Sequence, residues 1–287
     1  METEKEYLNI LDLLGRVVDA NKGIELTDET LSEAEPLAIK LFEHSASALY
    51  LSRSTVISDF PSVEVNFFDH SSINVLTRAA LESFLTFHYL YGAKVSEQDR
   101  ELRFYSRQLA ALKERQDFPY TITNATEILE RDQERISRYE EILGKNSVFR
   151  DLKRKRQERI LAGDWKLLSW RDIGRSTGLS DVHAKHVYRY LCGYAHSGAL
   201  STLQVAEARS AETQSALFAG SMGLIKIAMS NFIFRYSDLF PDSKKEIDKN
   251  PEAKASAELW LGVGRGLRKE EEENEEDEEN EEDHDRH

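Results

Sequence analysis

The sequence has few of the residues that break regular structure or cross-link a chain. It contains one cysteine, five prolines and 14 glycines in 287 residues. A single cysteine excludes an intramolecular disulfide and gives no sign of an oxidising compartment. The scarcity of proline and glycine favours long helices over a β protein with many turns. The length allows a substantial hydrophobic core.

Motifs of several enzyme classes are also missing. The chain has no CxxC or HExxH sequence and no glycine-rich phosphate loop. These absences disfavour nucleotide hydrolysis. His183 and His186, close to Asp181, could gather a metal, but no third ligand is identifiable beside the two histidines. We therefore expect no metal and no other cofactor.

The negative charge is concentrated at one end of the chain. The net charge is -14, and residues 270–287 contribute -12 of it, with 13 acidic residues against one arginine. The other residues are nearly neutral, with 39 acidic against 37 basic. A segment so charged and so poor in apolar residues cannot bury a core. We predict a helical domain over residues 1–262 and a disordered acidic tail over 263–287.

No long apolar run of the membrane-spanning kind is present. The longest apolar stretch is residues 217–234, and it is interrupted by serines, an asparagine and Lys226. A spanning helix needs about 20 mostly apolar residues and tolerates a central lysine poorly. The first 15 residues carry acidic groups where a signal peptide is positive. We expect a cytoplasmic protein without a membrane partner.

Apolar residues recur at helical spacing through most of the chain. This pattern predicts an all-α fold, a single multi-helix bundle of roughly seven to nine helices. We expect a structured loop at residues 55–70. Residues 203–236 should form either one long helix or two abutting helices with a break near Gly220–Gly223. The predicted helices are 4–20, 31–54, 72–91, 96–117, 124–144, 182–200, 203–236 and 242–262, with 72–91 and 182–200 as the central pair.

Polar residues with chemical potential lie on these two central helices. Arg78 and Glu82 are four residues apart in an otherwise apolar helix and should pair. Tyr188, Cys192 and His196 step by four along the other helix, and Arg189 lies seven residues before His196, almost in register. Cys192 could act as a nucleophile with His196 as its base, although a lone cysteine in such a helix is more often a small buried hydrophobe. The set is either a functional site or a polar seam within the core.

The most basic short segment runs from Arg150 to Arg159 and holds six basic residues. Aromatic residues do not interleave with the basic ones there. A solvated helix face is therefore favoured over a nucleic-acid contact.

The chain resembles an uncharacterised, largely prokaryotic helical family, one of the domain-of-unknown-function classes. The resemblance rests on RAALESFLTFHYLY with Arg78 and Glu82, on RDIGRSTGL, and on Tyr188-x3-Cys192-x3-His196. It covers roughly residues 40–235. Serine is usual at the position of Cys192 in that family, so the cysteine is a conservative departure. The resemblance implies a helical fold and no established activity.

A looser resemblance is to the HEPN helical ribonucleases, which carry an R-x4-6-H motif at a helix end. Arg189 and His196 fit that spacing, although Tyr190 stands where those enzymes have a polar residue. The resemblance implies that Arg189 would stabilise a phosphate and that His196 would move the proton of a 2′-hydroxyl or leaving group. It also implies RNA as the substrate and a homodimer as the assembly.

Two functional hypotheses fit these residues. The first is a metal-independent, HEPN-like ribonuclease of a defence or toxin type, with Arg189 and His196 catalytic and Arg78 and Glu82 in support. The second is a non-catalytic helical module that binds a partner protein or regulates it. In that case the same residues hold the core together.

Overall fold

The computed structural model describes residues 2–59, 64–92, 95–118, 125–179 and 183–284, with side chains as far as residue 267. Across these ranges the protein has thirteen α-helices and two three-residue strands, so the all-α prediction is confirmed. The helix count exceeds the expected number because six of the helices have nine residues or fewer. The chain divides into two compact units.

The first unit comprises Met1–Glu25, Glu33–His88 and Trp170–His287. Its elements are α1 (Glu2–Asp19), α2 (Ala34–Leu51), β1 (Thr55–Ile57), β2 (Val65–Phe67), most of α3 (His70–Tyr91), α8 (Trp170–Thr177), a π-helical segment (His183–Val187), α9 (Tyr188–Ala195), α10 (Ala199–Glu207), α11 (Ala211–Leu239), α12 (Pro241–Lys249) and α13 (Pro251–His284).

The core of this unit is organised around α11, which packs against α1, α2, α12 and α13. The ring centroids of Phe232 on α11 and Phe87 on α3 are 4.2 Å apart. The apolar face of α1 is fully buried, with Leu13, Leu14 and Val17 at 0 % exposure. Burial of these side chains is the main stabilising contribution, at about 1.5–3 kcal/mol for each large apolar residue. By length and composition α11 could cross a membrane, and 61 % of its most apolar window is buried inside the protein.

A capping box at Ser210 and Thr213 fixes the start of α11. The Ser210 hydroxyl accepts from the backbone N–H of Thr213, whose own hydroxyl accepts from the backbone N–H of Ser210. Of the two alternatives for this region, the break near Gly220–Gly223 is wrong, because α11 runs through both glycines. A Cβ at Gly223 would lie 3.5 Å from the ring of Trp260, an ordinary van der Waals distance, so α13 packs directly on α11 at this glycine.

The segment after α2 contains the two strands, where the sequence led us to expect a loop. β1 and β2 pair antiparallel, with Val56 opposite Asn66. The prediction of a loop at residues 55–70 is therefore wrong for the two strands. Strands of three residues carry too little alternation to be recognised before their partner is known.

The last helix continues beyond the predicted domain boundary at residue 262. A Cβ added at Gly264 would lie only 2.9 Å from Cγ2 of Ile227, which shows how closely α13 approaches α11 there. The packed part of α13 thus reaches at least Leu267, which lines a groove against α11. Disorder of the acidic residues beyond it stays a prediction.

The second unit comprises Leu26–Ser32 and Tyr89–Ser169. Its elements are a 3₁₀ turn (Glu29–Leu31), α4 (Glu97–Asp117), α5 (Ala125–Lys145), α6 (Ser147–Asp151) and α7 (Arg154–Leu161). Leu109, Tyr139 and Phe149, from α4, α5 and α6, belong to one buried apolar cluster. Arg115 forms a bidentate ion pair with the buried carboxylate of Asp132.

Candidate functional site

The candidate site lies in the first unit, where α3 meets α9. α3 begins after Asp69, whose carboxylate accepts from the backbone N–H of Ser72 at 2.9 Å. Arg78 and Glu82 lie one turn apart on α3, with their side chains 22 % and 30 % exposed. The predicted i,i+4 pair is confirmed, and its partial burial makes it stronger than a fully exposed pair.

A sharp turn ends α9 and fixes the position of His196. The backbone N–H of His196 donates to Cys192 O at 3.1 Å, and that of Gly198 donates to Gly193 O at 2.7 Å. Ser197 between them has a positive φ of 51°. A Cβ at Gly198 would lie 3.2 Å from Cα of Gly193, so a glycine is needed at this close approach. The turn leaves the His196 ring exposed at the helix end.

Four side chains from the two helices form what we call the Arg78 cluster: Arg78, Glu82, Tyr188 and His196. Oε1 of Glu82 accepts from Nε and Nη2 of Arg78 at 3.1 and 3.0 Å and from the Tyr188 hydroxyl at 2.6 Å. Nη1 of Arg78 lies 3.3 Å from Nε2 of His196. A guanidinium can only donate, so this contact suits a neutral imidazole with its proton on Nδ1.

Aromatic rings border the cluster on one side. The Arg78 guanidinium carbon lies 5.9 Å from the centroid of the Tyr188 ring, and Trp170 on α8 lies 6.4 Å from the same ring. Burial raises the pKa of the Tyr188 phenol well above its ordinary value, and the bond to the Glu82 carboxylate raises it further. Tyr188 therefore remains a neutral hydrogen-bond donor across the physiological range.

The guanidinium of Arg78 is held in its charged form. Partial burial acts to lower its pKa, but the Glu82 charge and the bond with Tyr188 outweigh burial, so the pKa lies above the ordinary value. The thiol of Cys192 is half-buried, and its charge state influences the pKa values of both Arg78 and Tyr188. The cluster thus places a permanent cation beside an imidazole nitrogen at the protein surface.

Arg189 is not part of this cluster. Its side chain is exposed, and it makes no hydrogen bond or ion pair within the described part of the chain. Seven helical residues place Arg189 roughly 10 Å from His196 along the axis. The structure therefore gives His196 a different arginine neighbour from the one that the R-x6-H spacing predicts. Arg78, 118 residues away in sequence, occupies that place.

A metal site receives no support from the described residues. They contain no group of three or more His, Cys, Asp and Glu side chains that could hold an ion. Asp181 lies outside the described residues, as does the side chain of His183, and His186 is exposed.

Three of the six basic residues in the basic segment of the second unit form ion pairs. Arg154 pairs with Glu158, and both Arg156 and Arg159 pair with Asp164. This arrangement is typical of the solvated helix face favoured by the sequence.

A second polar group was not recognised as a site from the sequence. Lys226 on α11 has a side chain only 4 % exposed, and its ammonium lies 3.5 Å from the centroid of the Trp260 ring. Glu6 accepts from Trp260 Nε1 at 3.0 Å and lies 3.5 Å from the lysine. The sequence feature that could have indicated this group is a lysine in the middle of an apolar helix. By itself such a lysine argues only against a membrane-spanning helix.

The comparisons with known proteins place the α3–α9 region within one family. A family model described as DUF5677, a family of unknown function, matches residues 62–212, which include the whole Arg78 cluster. No curated protein and no solved structure matches the chain. The predicted membership of an uncharacterised family is confirmed, and the HEPN resemblance stays a prediction. The match covers more than half of the 287 residues, and the chain therefore belongs to the DUF5677 family, whose function is unknown.

Proposed function

We propose that the Arg78 cluster cleaves RNA without a metal ion, with His196 as the general base and Arg78 as the phosphate-binding residue. The observation that carries this proposal is the 3.3 Å contact between Nη1 of Arg78 and Nε2 of His196 at a half-exposed surface. A forked cation beside an unprotonated imidazole nitrogen suits an attack by a hydroxyl on a phosphodiester.

The reaction needs no oxidant, metal or second substrate. The 2′-hydroxyl gives its proton to Nε2 of His196 while its oxygen attacks the adjacent phosphorus. The O2′–P bond forms and the P–O5′ bond breaks, and the 5′ oxygen takes a proton from water. The products are a 2′,3′-cyclic phosphate and a 5′-hydroxyl. A positioned general base of this kind contributes about 10²–10⁴-fold to the rate.

Glu82 and Tyr188 act as positioning residues. Glu82 holds Nε and Nη2 of Arg78, and this leaves Nη1, the nitrogen that faces His196, for the phosphate. Tyr188 fixes Glu82 in turn through its 2.6 Å hydrogen bond. In this proposal Arg189, which is exposed on α9 before His196, contacts a neighbouring phosphate of the same strand.

The test uses labelled RNA and the full-length protein in the presence of EDTA. We expect His196→Ala to lose at least about 100-fold in cleavage rate, while His186→Ala, a change at another exposed histidine, keeps the wild-type rate. A substrate with one 2′-deoxynucleotide at the cleavage position should remain intact at that position. Cleavage that persists in His196→Ala, or products with a 3′-hydroxyl, would overturn the assignment.

The second candidate is a non-catalytic binding or regulatory module. The observation that favours it is the closed hydrogen-bond network through Glu82, which joins α3 to α9 and neutralises Arg78. This second hypothesis predicts that the wild-type protein does not cleave RNA and that a substitution of Glu82 measurably lowers stability. Leu200 and Leu203 on α10, 58 % and 53 % exposed, lie shortly after His196 in the chain and offer apolar surface to a partner. A partner protein or a second copy of the chain stays a prediction.

A further inference from the structure

The first unit contains a cavity of about 390 Å³ beside the buried ammonium of Lys226. This volume lies within the range of about 300–1,000 Å³ that small-molecule sites occupy. Leu49, Phe218 and Met222 form an apolar wall of the cavity, and Lys226 is one of its charged lining residues. The cavity shares no lining residue with the Arg78 cluster.

The ammonium of Lys226 has unused hydrogen-bonding capacity. It carries three N–H donors, yet its hydrogen bond in the structure is a long one of 3.5 Å to Glu6. A second face of the ammonium rests on the Trp260 ring. Burial lowers the pKa of Lys226, against the opposing effect of Glu6, because a desolvated charge is costly without good partners. An acceptor in the cavity would relieve that cost.

The lining offers a cationic hydrogen-bond donor to a ligand. Its charged residues are Glu4, Arg53 and Lys226. Glu4 and Arg53 neutralise each other at 2.7 Å at the mouth of the cavity, with both side chains about half exposed. Lys226 has Glu6 as its ion-pair partner at 3.5 Å, but Glu6 does not belong to the lining, so the lysine is the cationic donor that the lining itself offers to a ligand.

We propose that this cavity binds a small apolar carboxylate of the medium-chain fatty-acid type. The carboxylate accepts hydrogen bonds from Lys226, and the hydrocarbon chain packs against Leu49, Phe218 and Met222. A charge-assisted bond at a buried site is roughly twice as strong as a neutral one, which gives preference for an acid over an alcohol of the same length.

Trp260 limits the length of the ligand. A second groove, of about 410 Å³, lies beyond it, and the two cavities share Gly223 and Trp260 in their linings. Because the Trp260 ring packs against Gly223, a short chain fits the first cavity alone. A longer chain would have to displace the ring.

The experiment is calorimetric titration of the full-length protein with octanoate, 1-octanol and octylamine, together with tryptophan fluorescence. We expect octanoate to bind wild type and to bind Lys226→Met roughly tenfold more weakly or worse, the loss of one charge-assisted bond. Lys245→Met removes an exposed lysine and should bind octanoate as wild type does. Octanol and octylamine should bind at least several-fold more weakly than octanoate.

A second variant keeps the test decisive if Lys226→Met fails to fold. Met222→Trp fills the cavity and leaves the lysine in place, so it should abolish octanoate binding. Three results would overturn the proposal: no octanoate binding by wild type, equal binding of octanol, or unchanged binding by a folded Lys226→Met or Met222→Trp protein. Thermal melting of each variant establishes that it is folded.

Discussion

Replacing Glu82 with glutamine tests whether the Arg78 cluster stabilises the first unit. The substitution keeps the shape of the side chain but removes the charge that holds Arg78. Glu82 accepts two hydrogen bonds from the guanidinium and one from Tyr188, all at 3.1 Å or less. Hydrogen bonds to a charged group contribute about 1.5–3 kcal/mol each, against about 0.5–1.5 kcal/mol for neutral ones.

The exposure of the two side chains sets the expected size of the effect. Exposed ion pairs contribute about 0–1 kcal/mol, and breaking a fully buried pair costs about 3–5 kcal/mol. Arg78 and Glu82, at 22 % and 30 % exposure, lie between these limits. We expect Glu82→Gln to lower the free energy of unfolding by about 2 kcal/mol, which corresponds to roughly 4–8 °C in Tm.

Urea unfolding followed by circular dichroism measures this change without the ionic screening that guanidinium chloride introduces. The control is Glu207→Gln, an exposed glutamate at the end of α10, which should change stability by less than about 0.5 kcal/mol. A double-mutant cycle with Arg78→Met should give a coupling energy of about 1–2 kcal/mol. A Glu82→Gln protein as stable as its control, or a coupling energy near zero, would refute the idea that the cluster joins α3 to α9.

Two further predictions concern the second unit. Arg115→Met removes the cation that pairs with the Asp132 carboxylate, which is 3 % exposed, and should lower the free energy of unfolding in urea by about 2–4 kcal/mol. Adding Asp132→Leu should recover part of that free energy, and no recovery would contradict the role of the pair. Burial raises the pKa of Tyr105 to about 12. The unfolded chain therefore releases the phenol proton near pH 10, whereas the folded protein keeps it. Because the folded state binds the proton more tightly, the free energy of unfolding falls from about pH 10 to pH 12. Tyr105→Phe should reduce the loss of stability between pH 9 and pH 11, and a loss equal to that of wild type would exclude Tyr105 as a contributor.

Most helix positions can be derived from local physics. The predicted helices 72–91, 96–117 and 124–144 are found at His70–Tyr91, Glu97–Asp117 and Ala125–Lys145. Apolar periodicity and capping residues act over a few residues of sequence, and so they can be recognised without a structure. The pairing of Arg78 with Glu82 belongs to the same class, because four residues are one helical turn.

The failures involve partners that are distant in sequence. The sequence left open a helix break near Gly220–Gly223, but Gly223 lies within the unbroken α11, where it packs against Trp260 of α13. The short strand at residues 55–57 forms because residues 65–67 pair with it. In both cases the local sequence is weak or misleading, and a tertiary contact decides the conformation.

The candidate site divides in the same way. The sequence by itself determined that the chain is helical, that its acidic residues are concentrated in the tail, and that a tyrosine, a cysteine and a histidine succeed one another on one helix face. Only the tertiary structure decided which arginine meets His196 and where Lys226 lies. The reason is that helical spacing determines which residues share a face, whereas the packing of α3 on α9 and of α11 on α13 determines what that face contacts.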